Sequence, residues 1–187
     1  MMATGGDAVP PDPTASVPPL VLVVMGVSGC GKSTVAALVA GRLGWSFADG
    51  DDFHSAEHVA KMQAGLPLDD ADRAPWLARI AAWIAARVAA ADPAVMVCSG
   101  LRRRYRDTLT GGHPAVRIVY LEGSRELIAA RLAQRAGHFM PPALLDSQFA
   151  ALEPPGPDEN PIVVGIAEPP ERIAARVVAA VRPGGPA

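Results

Sequence analysis

Lysine is scarce in this sequence: it occurs only at Lys32 and Lys61, against 15 arginines. A guanine-reading N-K-x-D motif therefore cannot be present, and no D-x-x-G switch occurs either, which argues against a regulatory GTPase. Generic positive charge falls to arginine, so each lysine marks a place suited to a compact ammonium. Cysteine is nearly absent. Cys30 and Cys98 have the spacing of neither a metal site nor a disulfide framework, and a reducing, cytoplasmic setting is expected. The formal net charge is only -2, so no face is obliged to be basic and nucleic acid is not the expected partner. Long hydrophobic runs are missing as well. Asp, Arg and Pro interrupt every candidate before the roughly 20 apolar residues of a membrane span, so no membrane association is expected. Residues 1–19 have no basic start and no proper apolar core, and their Pro/Ala-rich composition predicts a disordered tail rather than a signal peptide.

What is there is 187 residues, 50% of them hydrophobic, enough for one well-buried domain placed at 20–182, followed by a flexible tail at 183–187. Strand-like segments at 20–25, 45–49, 94–98, 116–121 and 162–166 alternate with helix-like ones. Helices are predicted at 32–43, from Ser55 to 64 with Gly65 and Pro67 as stops, from Asp69 or Asp70 onward, at 103–109, at 124–135, at 142–152 and from about 170. In the long third helix Trp76, Ile80, Trp83, Ile84 and Val88 share one face, and both tryptophans are assigned to the core. Alternation of this kind predicts an α/β fold with a five-stranded parallel sheet covered on both faces and ligands at the carboxyl ends of the strands.

The most specific stretch is LVLVVMGVSGCGKST, Leu20 to Thr34. A buried-strand pattern runs directly into the G-x-x-x-x-G-K-[ST] spacing of a P-loop NTPase, and an amphipathic helix pattern follows. Gly26, Val27, Ser28, Gly29, Cys30, Gly31, Lys32, Ser33 and Thr34 would wrap a triphosphate. Glycines let backbone N–H groups turn inward, the helix start adds positive potential, Lys32 adds a mobile charge, and Ser33 offers a hydroxyl to Mg²⁺. A small-molecule kinase also needs a carboxylate near the acceptor hydroxyl. Asp49-Gly50-Asp51-Asp52 ends the second strand, and Asp49 and Asp51, two apart in extended chain, point to one side beside the P-loop.

Four blocks taken together resemble the gluconokinases: MGVSGCGKST (25–34), DGDDFHSAEHVAKMQAGLPLDDADRAPWL (49–77), VCSGLRRRYRDTL (97–109) and GHFMPPALLDSQFAALEPP (137–155). The resemblance spans about Val21 to Val181. It implies phosphorylation of D-gluconate to 6-phosphogluconate with ATP and Mg²⁺, a nucleoside-monophosphate-kinase-like three-layer fold, an acceptor-side region at about 53–75, a short lid at about 136–142, a homodimer and a cytoplasmic setting. The family's usual H-P-x-x-N-x-x-K-M is departed from at Ser55 and His58, its C-S-A-L-K at Gly100 and Arg102, and its basic residue before Gly-His-Phe at Ala136.

Roles carried onto matching positions put Lys32 on the β/γ oxygens, Ser33 and Asp49 on the metal side, and Asp51 at the gluconate 6-hydroxyl as orienting group and proton acceptor. His54, Lys61 and Arg73 would bind acceptor hydroxyls and carboxylate, although spacing alone equally suits an ion pair of Arg73 with Asp69, Asp70 or Asp72. Arg102 and Arg106 are assigned to the acceptor too, against the reading of R-R-R-Y-R as a solvated helix face. Arg131 and Arg135, four residues apart before the lid, would reach the phosphates on closure, against the reading of two exposed helix arginines. Residues 167–169 are expected at the adenine edge. His138 and Gln148 match family positions with no role derivable from the residues, and His113 reads as a loop residue. The competing assignments are a shikimate- or adenylylsulfate-type kinase and a non-catalytic nucleotide-binding module.

Overall fold

A computed structural model describes residues 20–64, 66, 68–134 and 142–182. The expected tails at 1–19 and 183–187, the stop residues Gly65 and Pro67, Arg135, His138 and all of the expected lid but Pro142 lie outside the described residues. The first strand, β1 (Val21–Met25), runs into α1 (Lys32–Leu43). Then come β2 (Ser46–Asp49), a 3₁₀ turn at Gly50–Phe53, α2 (Ala56–Gln63) and α3 (Asp70–Ala89). The order continues with β3 (Ala94–Val97), α4 (Arg103–Thr110), β4 (Val116–Glu122), α5 (Arg125–Gln134) and α6 (Pro142–Ala151). A 3₁₀ turn at Pro157–Glu159, β5 (Ile162–Gly165) and α7 (Pro170–Val181) complete it.

The sheet is wholly parallel with strand order β2-β3-β1-β4-β5. Its central strand is buried along its full length, as expected of a parallel strand covered on both faces. Alternation then sorts the side chains into two cores. Leu22 and Val24 pack with Val35 and Val39 of α1 and Ile173 and Val177 of α7, while Val21, Val23 and Met25 pack with Trp76, Ile80 and Ile84 of α3. Each such side chain stabilises by about 1.5–3 kcal/mol relative to exposure. The P-loop thus hangs from the best-buried strand of the sheet.

Helix starts follow local chemistry. The Ser55 hydroxyl accepts from the His58 N–H at 3.2 Å, and Asp69 and Asp72 form a reciprocal capping box, so Asp69 is the cap of α3 and Asp70 its first residue. The two tryptophans of α3 part company. Trp76 is buried and its indole N–H donates to the Gly50 carbonyl at 2.7 Å. Trp83, expected in the core, is only half-buried, edge-on to Phe53 and under the Arg87 guanidinium, because it lies at the border of the helix's apolar stripe. No helix among the described residues is long and apolar enough to cross a membrane.

Candidate active site

The phosphate loop bridges β1 and α1, with Gly31 at the helix N-cap. Two glycines have no substitute here. At Gly26, φ is +146° and a Cβ would sit 2.8 Å from the Cys30 sulfur and 3.0 Å from the Leu121 carbonyl; at Gly29, φ is +84° and a Cβ would strike Leu132 at 2.7 Å. The loop is packed from outside by α5 as tightly as it is held from below. The Lys32 ammonium donates to the Val27 carbonyl at 3.1 Å, folded back over the loop it would charge.

Next to the loop, at the carboxyl end of β2, the Ser33 hydroxyl donates to Asp49 Oδ2 at 2.9 Å, and Asp49 Oδ1 accepts from the Asp51 N–H at 3.1 Å. These are hard oxygen ligands. No group of three or more His, Cys, Asp or Glu placed to hold a metal occurs among the described residues, so the pair fits Mg²⁺ shared with phosphate oxygens and water rather than a metal caged by protein alone. Asp51 points its side chain into the open, 90% exposed, while crowding by the cleft and then the nearby Asp49 carboxylate push its carboxyl above the ordinary range. His54 closes the other side, its Nε2 4.0 Å from Asp51 Oδ1 and its ring stacked on Trp76 at 4.5 Å. Burial holds the His54 imidazole below its usual pKa and so favours the neutral ring, against the pull of Asp51 toward the charged one.

The acceptor-side cations sort into three kinds. Arg73 makes no ion pair among the described residues, since Asp69 caps α3, Asp72 takes the Lys61 ammonium at 2.6 Å, and Asp70 accepts from Tyr105 and Arg104. The helix-start ion pair is thereby replaced by a bond from Arg73 Nη1 to the Tyr105 hydroxyl at 3.3 Å. Lys61 and Arg102 are each tied to a carboxylate, Arg102 to Asp70 at 3.7 Å, and both remain about one-third exposed. Arg106 is a correction. Neither an acceptor ligand nor a solvated residue, it is 1% exposed, with its guanidinium gripping both oxygens of Glu159 at 2.6 and 2.9 Å and the carbonyls of Gly100, Leu101 and Glu153. All of its N–H donors but one, on Nη2, are taken up inside the protein.

Arg131 lies away from the carboxylates, on the nucleotide side. It donates to the Ile166 carbonyl and, with Gly29, Gly31 and residues 167–170 after β5, lines a cavity of about 480 Å³. It is a half-buried residue rather than a freely exposed helix arginine, and must leave Ile166 to reach a phosphate. The cavity joins the loop to the turn expected at the adenine edge.

This arrangement has known counterparts. A family model described as an AAA domain matches residues 21–155. A probable gluconokinase of Mus musculus is 47% identical over 181 residues, covering 88% of this chain and 98% of its own. The gluconokinase of Gluconobacter oxydans is 51% identical over 146 residues, covering 78% of this chain and 82% of its own. The chain belongs to the gluconokinase family. Within the family, the crystal structure of a gluconokinase from Sinorhizobium meliloti superposes with a TM-score of 0.80 at 41% identity, covering 88% of this chain and 92% of that one.

Two contacts of this gluconokinase-family enzyme were not readable from spacing. Tyr105 joins Arg73 to Asp70 across α3 and α4, and Gln148 of α6 accepts from the Ser28 N–H at 2.6 Å. Tyr105 and Leu109, four residues apart on α4, signal the face that turns inward, but no local signal pairs residues 120 apart.

Proposed function

We propose that this enzyme transfers the γ-phosphoryl group of Mg²⁺-ATP to the primary hydroxyl of D-gluconate, giving 6-phospho-D-gluconate and ADP. The observation that carries the reading is the run of contacts from the Ser33–Asp49 pair to Asp51, from Asp51 to His54, and from His54 to Arg73, whose charge acts on the same imidazole. A sugar acid presents a hydroxyl at one end and a carboxylate at the other. Asp51 accepts the hydroxyl proton as the oxygen attacks phosphorus and the bond to the β-phosphate oxygen breaks. Lys32 leaves Val27 for the β/γ oxygens and follows the charge that develops there. Ser33 and Asp49 would hold Mg²⁺, which would neutralise charge on the phosphates. Arg73, free of carboxylates among the described residues, is the guanidinium best suited to the gluconate carboxylate. The family resemblance further supports a homodimer, and two buried free thiols support a reducing, cytoplasmic compartment.

The test is ADP release over a panel of sugar acids, with the gluconate product read through a 6-phosphogluconate dehydrogenase. Gluconate should be the preferred acceptor. Turnover with shikimate or adenylylsulfate in its place would reassign the acceptor, and nucleotide binding with no turnover on any acceptor would leave a binding module.

A further inference from the structure

The peptide unit between Val27 and Ser28 is clamped at both ends. Its carbonyl accepts from the Lys32 ammonium at 3.1 Å and from the Cys30 N–H at 3.3 Å, and its N–H donates to Gln148 Oε1 at 2.6 Å. Since a backbone N–H can only donate, the amide oxygen of Gln148 must face it. A peptide plane held by one end can rotate; held by both, it cannot. The carbonyl therefore stays aimed at Lys32 because the opposite edge of the same plane is tied to α6.

Gln148 is in turn well fixed. It stands one turn after Leu145, which is buried in the core at 3% exposure, and three residues before the end of the helix. Just beyond that end the Glu153 N–H donates to the Leu101 carbonyl at 2.8 Å and the Glu153 carbonyl accepts from buried Arg106 at 2.9 Å. An anchored helix, one side chain and one peptide plane thus connect to the ammonium at the reacting phosphates.

We propose that Gln148 is a positioning residue for phosphoryl transfer: it fixes the orientation of the Val27–Ser28 peptide plane and, through that carbonyl, the place from which Lys32 moves onto the β/γ phosphates. The proposal rests on the reading of the loop as the ATP triphosphate site. It concerns the placing of charge rather than the holding of nucleotide, because the N–H groups after Ser28 and the start of α1 still cradle the anion without Gln148.

Gln148→Leu keeps the bulk and removes the acceptor; Gln148→Asn keeps the amide but is too short by one methylene to reach Ser28. Both should bind a non-hydrolysable ATP analogue and gluconate within about threefold of wild type while kcat falls about 10- to 100-fold, the signature of an interaction that matters in the transition state. In both, the Ser28 amide should exchange its hydrogen faster than in wild type, a change that general loosening of α6 would not confine to that site. If Gln148→Leu fails to fold, Gln148→Asn decides. Unchanged Ser28 exchange with unchanged kcat overturns the proposal. So does tighter analogue binding at unchanged kcat, which would make Gln148 a plug that nucleotide displaces. Failure of the wild-type protein to bind the analogue removes the nucleotide reading itself, and the proposal with it.

Discussion

Arg106→Ala separates a buried strut from a substrate ligand. The guanidinium is 1% exposed, and its partner Glu159 has a side chain only 7% exposed, with Arg106 holding that carboxyl below the usual range. Removing the arginine leaves the Glu159 charge with only the Gly156 N–H at 3.0 Å and the more distant Arg103 at 3.7 Å, and strips donors from the carbonyls of Gly100, Leu101 and Glu153. Breaking a buried pair from one side costs about 3–5 kcal/mol, well above the value of a surface salt bridge. In a domain of this size about 2–4 °C of Tm is lost per kcal/mol, so thermal unfolding followed by circular dichroism should drop by roughly 6–20 °C. Arg106→Leu combined with Glu159→Leu should recover part of that loss, since no charge is then stranded. Measured at a temperature where the variant is folded, KM for gluconate should stay within about twofold of wild type, because no binding contact is removed. A Tm within about 2 °C of wild type together with a tenfold rise in KM would refute the structural role and return Arg106 to the acceptor site.

Asp51→Asn should lower kcat by about 10²- to 10⁴-fold and remove the acid limb of the kcat/KM profile. That limb should lie above the ordinary carboxylate value of 3.8, since desolvation and Asp49 favour the protonated form and the base is lost as pH falls through the raised pKa. A residual rate in the variant with the same limb would place the base elsewhere. Burial pushes the Cys98 thiol up to about 12 and raises that of Cys30, so neither should be alkylated by iodoacetamide in the native protein at pH 8, and both should be in denaturant. Mass spectrometry counts the adducts, and rapid native labelling of Cys30 would contradict the tightly packed loop described above.

The features legible in the sequence are those whose cause is local. Phosphate binding demands glycines at fixed offsets, so Gly26 to Ser33 could be read directly, as could the Ser55 cap and the unbroken apolar pattern of β1, while the cap of α3 could be narrowed only to Asp69 or Asp70. That Asp49 lies beside the phosphate loop followed from strand-end placement in an α/β fold, whereas its direct bond to the Ser33 hydroxyl did not. Arg106 could not be read, because what distinguishes it from Arg103 and Arg104 is burial between both oxygens of Glu159 and the Glu153 carbonyl, 53 and 47 residues away. Gln148 is harder still, its partner being a backbone N–H that has no sequence of its own. Trp83 shows the limit of periodicity: a residue at the border of an apolar stripe is sorted by what covers it, here Phe53 and Arg87.

The position of β1 at the centre of the sheet also governs how the chain must come together on the ribosome. Val21 pairs with Ala94 on one side and Val116 on the other, so β1 waits for two neighbours that are synthesised after it. At about 5–20 residues per second that interval lasts seconds, far longer than collapse or hairpin formation elsewhere. Throughout it, VLVVM is a nascent segment of high β-propensity without charge or proline, the kind that chaperones hold and that otherwise self-associates. The strand that keeps the phosphate loop rigid in the finished enzyme is therefore the part of the newborn chain most in need of protection.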